Sequence, residues 1–249
     1  MNEIRPCVLI TGGAQRLGRS IALRFGAAGY DIAIHYRSSH EDAQALCEEL
    51  RALGCRSEIY QADLADPDQT DALIPAVFAD FPALEGLVNS ASVFERDAFG
   101  AVTREFLHGQ SRVNAEAPFF LTQALWNTIS GQGWVLNLID SKINQITPAF
   151  MSYTLSKLAL EDVTRMTARA CAPKLRVNAI APGLVLRSGN QTDADFERVH
   201  DQTPLQRGPV AEDIADMALH LAQARSTTGQ IVTVDGGLSF YSPKSAGQL

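Results

Sequence analysis

Short apolar runs that alternate with longer stretches of helical periodicity constrain this chain more than any other feature. The runs lie at 7–10, 31–36, 57–61, 86–89, 134–139, 176–180 and 231–234, and the helical stretches at 17–28, 41–53, 67–78, 105–128, 153–171 and 211–224. Strands that are apolar almost throughout are covered on both faces, and their alternation with helices is the pattern of βαβ construction. The expected architecture is therefore α/β: a single doubly wound domain over residues 1–249, with a central parallel sheet of about seven strands and helices on both faces. No Gly/Ser linker or internal repeat divides it. Two segments stand outside the alternation. Residues 184–209 form a long polar stretch after the carboxyl end of the sixth strand, where open parallel sheets bind ligands, and are read as a lid. Residues 238–249 form a tail without an expected role.

Composition removes several functional classes. A hydrophobic share of 46% with 20% charged residues suits one large core. The net charge of -7 argues against a nucleic-acid surface, which needs a basic face. No run approaches the roughly 18 apolar residues of a membrane span, and the N-terminal residues lack a signal pattern. Cys7, Cys47, Cys55 and Cys171 show no C-x-x-C spacing, so a reducing, cytoplasmic setting with core-filling cysteines is expected. No metal is called for.

The first strand runs into Thr11-Gly12-Gly13-Ala14-Gln15-Arg16-Leu17-Gly18, after which a helix begins. Glycines between a strand and a helix let the backbone approach a pyrophosphate, which the free N–H groups of the helix end stabilise. Gly12, Arg16, Leu17 and Gly18 are the candidate cofactor residues here. The second strand ends His35-Tyr36-Arg37-Ser38-Ser39, and the first carboxylate beyond it is Glu41. NAD sites place an acidic residue at this point for the ribose 2′-hydroxyl, whereas arginine accommodates a 2′-phosphate. Arg37, Ser38 and Ser39 therefore favour NADPH over NADH. His35 reads as a strand residue satisfied locally.

Tyr153 and Lys157 stand four residues apart on one helix and share a face. A tyrosine with a pKa of about 10 exchanges protons poorly at neutral pH, and a neighbouring ammonium is expected to lower that value. Such a pair suits proton transfer coupled to hydride transfer.

The turn Gly12-x-x-x-Arg16-x-Gly18 resembles the G-x-x-x-G-x-G turn of the short-chain dehydrogenases/reductases, with Arg16 where the middle glycine normally sits. Tyr153 and Lys157 resemble that family's active-site motif, and nearly the whole chain follows its Rossmann-fold order. The resemblance implies further roles. Asp63 and Leu64 would hold the adenine, while Asn89, Ser90 and Ala91 would line the cofactor. Asn114 would hold a water beside the lysine, and Pro182 and Gly183 would border the nicotinamide pocket. Arg16 would project toward the cofactor phosphates or the substrate mouth. The family's usual serine lies about thirteen residues before the tyrosine, a position that here is Asp140 and not Ser141. A one-residue slip on a strand reverses the face, so the two do not interchange.

At Asp140, Ser92 and Phe94 the chain resembles the pteridine reductases more narrowly. The resemblance implies a pterin-contacting serine, a phenylalanine stacked on the pterin, a carboxyl that relays a proton to a ring nitrogen, and a homotetramer. The expected activity is NADPH-dependent reduction of a dihydropterin, with Tyr153, Lys157, Asp140 and Asn114 as the catalytic set and Arg16, Ser92, Phe94, Asp140 and Tyr153 against a small-molecule substrate. The alternatives are a carbonyl or 3-oxoacyl reductase that uses Ser141 as the polarising hydroxyl and, from another class, a cofactor-binding sensor without turnover.

Overall fold

A computed structural model describes residues 5–146, 149–187 and 191–240. Seven parallel strands make one sheet: β1 (Cys7–Thr11), β2 (Asp31–Tyr36), β3 (Ser57–Gln61), β4 (Leu84–Asn89), β5 (Gly133–Leu138), β6 (Leu175–Pro182) and β7 (Ile231–Val234), in the spatial order 3-2-1-4-5-6-7. The described residues also form eight α-helices: α1 (Arg16–Ala27), α2 (His40–Ala52), α3 (Pro67–Asp80), α4 (Arg104–Ser111), α5 (Ala117–Thr128), α6 (Met151–Cys171), α7 (Asp193–Asp201) and α8 (Ala211–Gln223).

The strands are apolar because each feeds two cores. Along β1, Val8 and Ile10 join Ile21 and Phe25 of α1, Leu46 and Leu50 of α2, and Ile214 and Ala218 of α8. Cys7 and Leu9 point the other way, to Ile74 and Val77 of α3, Leu121 and Leu125 of α5 and Ala168 of α6. This is the period-2 alternation of a strand, with both sides buried. All four cysteines are free and buried, as the spacing suggested.

The chain leaves β3 at one edge and returns as β4 on the far side of β1, so the strand order reverses between β1 and β4. Crevices at such a reversal bind ligands outside the carboxyl ends of the strands. Here the turns after β1 and β4 touch: a Cβ on Gly12, whose φ is +60°, would lie 2.9 Å from Ala91 Cα. Only glycine permits that approach in that conformation.

Two elements differ from the sequence reading. The stretch expected as one helix over 105–128 is interrupted by a π-turn, Arg112–Glu116, between α4 and α5. The expected lid loop contains α7, which Thr192 caps by accepting from Asp195 N at 3.1 Å. Residues 188–190 of the lid and 241–249 of the tail lie outside the described residues. Among the described residues no helix is long and apolar enough to cross a membrane.

Candidate active site

A cavity of about 250 Å3 opens at the strand-order reversal, lined by Gly12, Arg37, Ser38, Ser39, Asp63, Leu64, Ala91 and Ser92 among others. Its glycines leave no room for side chains: a Cβ on Gly18 would fall 2.2 Å from Gly12 O. Helix α1 starts with no side-chain hydrogen bond from its cap residue Gln15, so its first-turn N–H groups are left for an anion. Arg16 stands at φ +53°, in the left-handed region that favours glycine and strains a side chain of its size. Its guanidinium is not among the cavity's lining groups; it donates to Arg187 O at 3.1 Å, where the expected lid segment begins. Leu17 packs instead against the core.

The turns after β3 and β4 also differ in detail from expectation. Asp63 spends Oδ1 on Ala65 N, 2.9 Å away, and still lines the cavity. Asn89 turns inward, donating to Asn137 Oδ1 at 2.8 Å, so its amide backs the strand end and does not line the cavity. Ser90 and Ala91 are placed through their N–H groups, which donate to Thr11 Oγ1 at 3.0 and 3.1 Å. Ser92 donates its hydroxyl to Asn114 Oδ1 at 3.0 Å, so it is already engaged within the protein. Pro182 closes β6, and Gly183 follows where a Cβ would come within 2.8 Å of Asp235.

The proton-handling group is compact. Tyr153 Oη donates to Asp140 Oδ2 at 2.8 Å, which places Asp140, two residues beyond β5, in the site. Asp140 also accepts from Lys142 N at 2.8 Å, starting a short 3-10 turn, Ser141–Asn144, that fixes its carboxylate. Lys157 is buried, donates to Leu138 O at 2.8 Å, and lies 5.6 Å from the centre of the Tyr153 ring. Asn114, in the π-turn, is fully buried; its amide holds Val93 on both backbone atoms and donates to Ser156 Oγ at 3.0 Å. It thus ties the loop after β4 to α6 beside Tyr153. π-turns often mark functional positions.

The electrostatics reverse one expectation. Burial, then the charge of Asp140 and its hydrogen bond, push Tyr153 well above the ordinary tyrosine value. Burial and the carboxylate in direct contact keep the phenol neutral, and it donates. Burial pulls Lys157 down to about 8, and Asp140 opposes that fall.

A further set of contacts around Phe94 and Phe150 lies beyond the sequence reading. Phe94 stacks on Phe150 (4.5 Å between centroids, 9° between planes) and meets Tyr153 edge-on at 4.7 Å. Lys142 Nζ sits 4.6 Å from each of the Phe94 and Phe150 centroids. Phe150, at φ +57°, is held by Phe150 N donating to Asp97 O and by Thr154 donating back to its carbonyl. Asp97 further accepts from Ser152 N at 3.0 Å and from its hydroxyl.

Comparison with known proteins agrees with this arrangement. A short-chain dehydrogenase/reductase family model described as enoyl-(acyl carrier protein) reductase matches residues 12–239. The chain belongs to the short-chain dehydrogenase/reductase family. As an oxidoreductase of that family it is similar to the 3-oxoacyl-[acyl-carrier-protein] reductase of Staphylococcus aureus, with 32% identity over 95% of this chain and 99% of the relative. It is 34% identical to an uncharacterized oxidoreductase of Mycobacterium tuberculosis, over 93% of this chain and 91% of the relative. Among solved structures it is similar to FolM alternative dihydrofolate reductase 1 of Brucella canis, complexed with NADP. The TM-score is 0.92 and the identity 34%, over 96% of this chain and 97% of that one. The Brucella suis enzyme, also in complex with NADP, gives a TM-score of 0.91 at 34% identity, over 96% and 98% of the two chains.

Proposed function

We propose that the protein reduces a dihydropterin to a tetrahydropterin with NADPH. The observation that carries this reading is the 2.8 Å hydrogen bond from Tyr153 to Asp140, because a carboxyl beside the phenol suits an amino-substituted, nitrogen-containing ring better than a plain ketone. The likeness to the FolM enzymes supports it further.

The residues fit the cofactor. The Gly12–Gly18 turn and the uncapped start of α1 suit a pyrophosphate. Arg37, Ser38 and Ser39, which line the cavity, suit a 2′-phosphate, and Asp63 and Leu64 suit the adenine. NADPH supplies the hydride when bound. Lys157 holds the nicotinamide ribose, bordered by Ala91, Pro182 and Gly183.

The chain's own chemistry concerns the proton. Reduction of a ring C=N bond places hydrogen on carbon and a proton on nitrogen, and the neutral Tyr153 phenol is the form that can release one. Lys157, as an ammonium, stabilises the phenolate left behind. Asp140, an ionised acceptor, accepts from a ring N–H or the amino substituent, and Asn114 holds α6 and the β4 loop in register. Phe94 covers the flat ring. Residues 184–209, joined to the phosphate turn through Arg16, act as the lid. Exposed Phe120 and Trp126 on α5 and Met166 on α6 support assembly into a homotetramer.

The second reading, a 3-oxoacyl reductase, is favoured by the identity with the Staphylococcus aureus enzyme. Asp140→Ser separates the two. Dihydropterin turnover should fall about tenfold or more relative to ketone turnover, as for loss of one charged hydrogen bond. A fall in ketone turnover that exceeds the pterin loss would overturn the role of Asp140.

A further inference from the structure

We propose that His35 is a positioning residue for the cofactor: its imidazole sets the spacing between the phosphate turn after β1 and the adenine turn after β3. The inference rests on the NADPH reading above. Strand β2 lies between β1 and β3, so a side chain near its carboxyl end can reach both turns. His35 is buried to within 1% and does so. Gly12 N lies 3.0 Å from Nδ1, and Nε2 lies 3.0 Å from Ala62 O.

Those partners fix the tautomer. A backbone N–H can only donate, so Nδ1 is the bare nitrogen and Nε2 carries the proton that Ala62 O accepts. The backbone of β2 holds the same two turns, since Gly13 N donates to His35 O at 2.9 Å and Ala62 N donates to the carbonyl of the next residue, Tyr36, at 3.1 Å. Gly12, His35 and Asp63 line one cavity, so the imidazole spans the space that one dinucleotide end must fill. It also keeps Gly12 N–H from turning into that cavity, leaving anion binding to the later N–H groups of the turn.

A doubly protonated ring would set a second N–H against Gly12 N–H and open the turn. Burial opposes that state, pulling His35 down to about 4; Asp63, the one charged group acting on it, and the bond to Ala62 O oppose the fall.

The test uses the full chain and two variants that each keep one half of the link. His35→Asn places an acceptor where Nδ1 lies, and His35→Gln places a donor where Nε2 lies. Each should weaken equilibrium binding of NADP+ about three- to tenfold, the effect of one lost hydrogen bond, with kcat at saturating cofactor unchanged. Nitrogen NMR of the wild-type histidine should show the Nε2–H tautomer and a titration midpoint lowered to about 4. Wild-type affinity in both variants, an Nδ1–H tautomer, or titration at the ordinary histidine value would each overturn the proposal. Should a variant fail to fold, the wild-type NMR still decides. Failure of the wild type to bind NADP+ would refute the cofactor reading, a result separate from the tautomer.

Discussion

Replacing Asp140 by asparagine should move the alkaline limb of activity to lower pH, because two groups then shift in one direction. Turnover requires Lys157 as an ammonium and Tyr153 as a phenol, and both forms are lost as pH rises. In the wild type the limiting group is Lys157, held at about 8 because burial lowers it while Asp140 supports it. Removing the carboxylate charge takes that support away. An opposite charge at such range is worth one pKa unit or more, so the limb should fall from about 8 to about 7. Tyr153 also loses the charge that raises it, so no compensating alkaline shift is available. Asparagine keeps one oxygen for the two donors that Asp140 now serves, Tyr153 Oη and Lys142 N, which limits collapse of the turn. The assay is kcat/KM against pH, from neutral to alkaline, for wild type and Asp140→Asn. A limb that stays in place, or moves to higher pH, would refute the argument that Asp140 holds the charge state of this pair.

Two further substitutions bear on other parts of the account. Lys157→Met should raise stability while abolishing turnover: the fall from 10.5 to about 8 corresponds to about 3 kcal/mol of burial cost at 1.36 kcal/mol per unit. Losing the bond to Leu138 O returns about 1 kcal/mol, and the rest should raise Tm by about 5 °C; a lower Tm on calorimetry would contradict a costly buried charge. Arg37→Ala should weaken NADPH by about ten- to a hundredfold, the loss of a charged hydrogen bond, and NADH by less than about twofold. Equal losses in a binding titration would remove Arg37 from 2′-phosphate recognition.

The central strands were legible because burial on both faces leaves an apolar run, and three strands, 31–36, 57–61 and 231–234, have both bounds where the sequence reading put them. Helix α7 carried a visible signal, Thr192 three residues before Asp195, of the kind that caps helices, yet its polar sequence hides it beside a stronger core pattern. The π-turn around Asn114 has no compositional mark, because its cause is tertiary: the amide serves Val93 and Ser156, residues far away in sequence. The spacing from Asp140 to Tyr153 was readable as a count, and the geometry makes it a contact. The direction of the Tyr153 shift was not readable, since it depends on how deeply the ring is buried and on Asp140 meeting its hydroxyl. The side-chain partners of Arg16 and Asn89 were not readable for a related reason: a motif fixes the backbone position and leaves the side chain to whichever partner is near, here Arg187 O and Asn137. His35 was rightly placed in a strand, but its two partners come from turns 23 and 27 residues away.

The most direct measurement is NADPH oxidation by the wild-type protein with a dihydropterin and, in parallel, with an acetoacetyl thioester. The account predicts a kcat/KM for the dihydropterin at least about tenfold above that for the thioester, the discrimination expected from one charged hydrogen bond made to only one of the two substrates. Rapid thioester reduction with no dihydropterin turnover would contradict it.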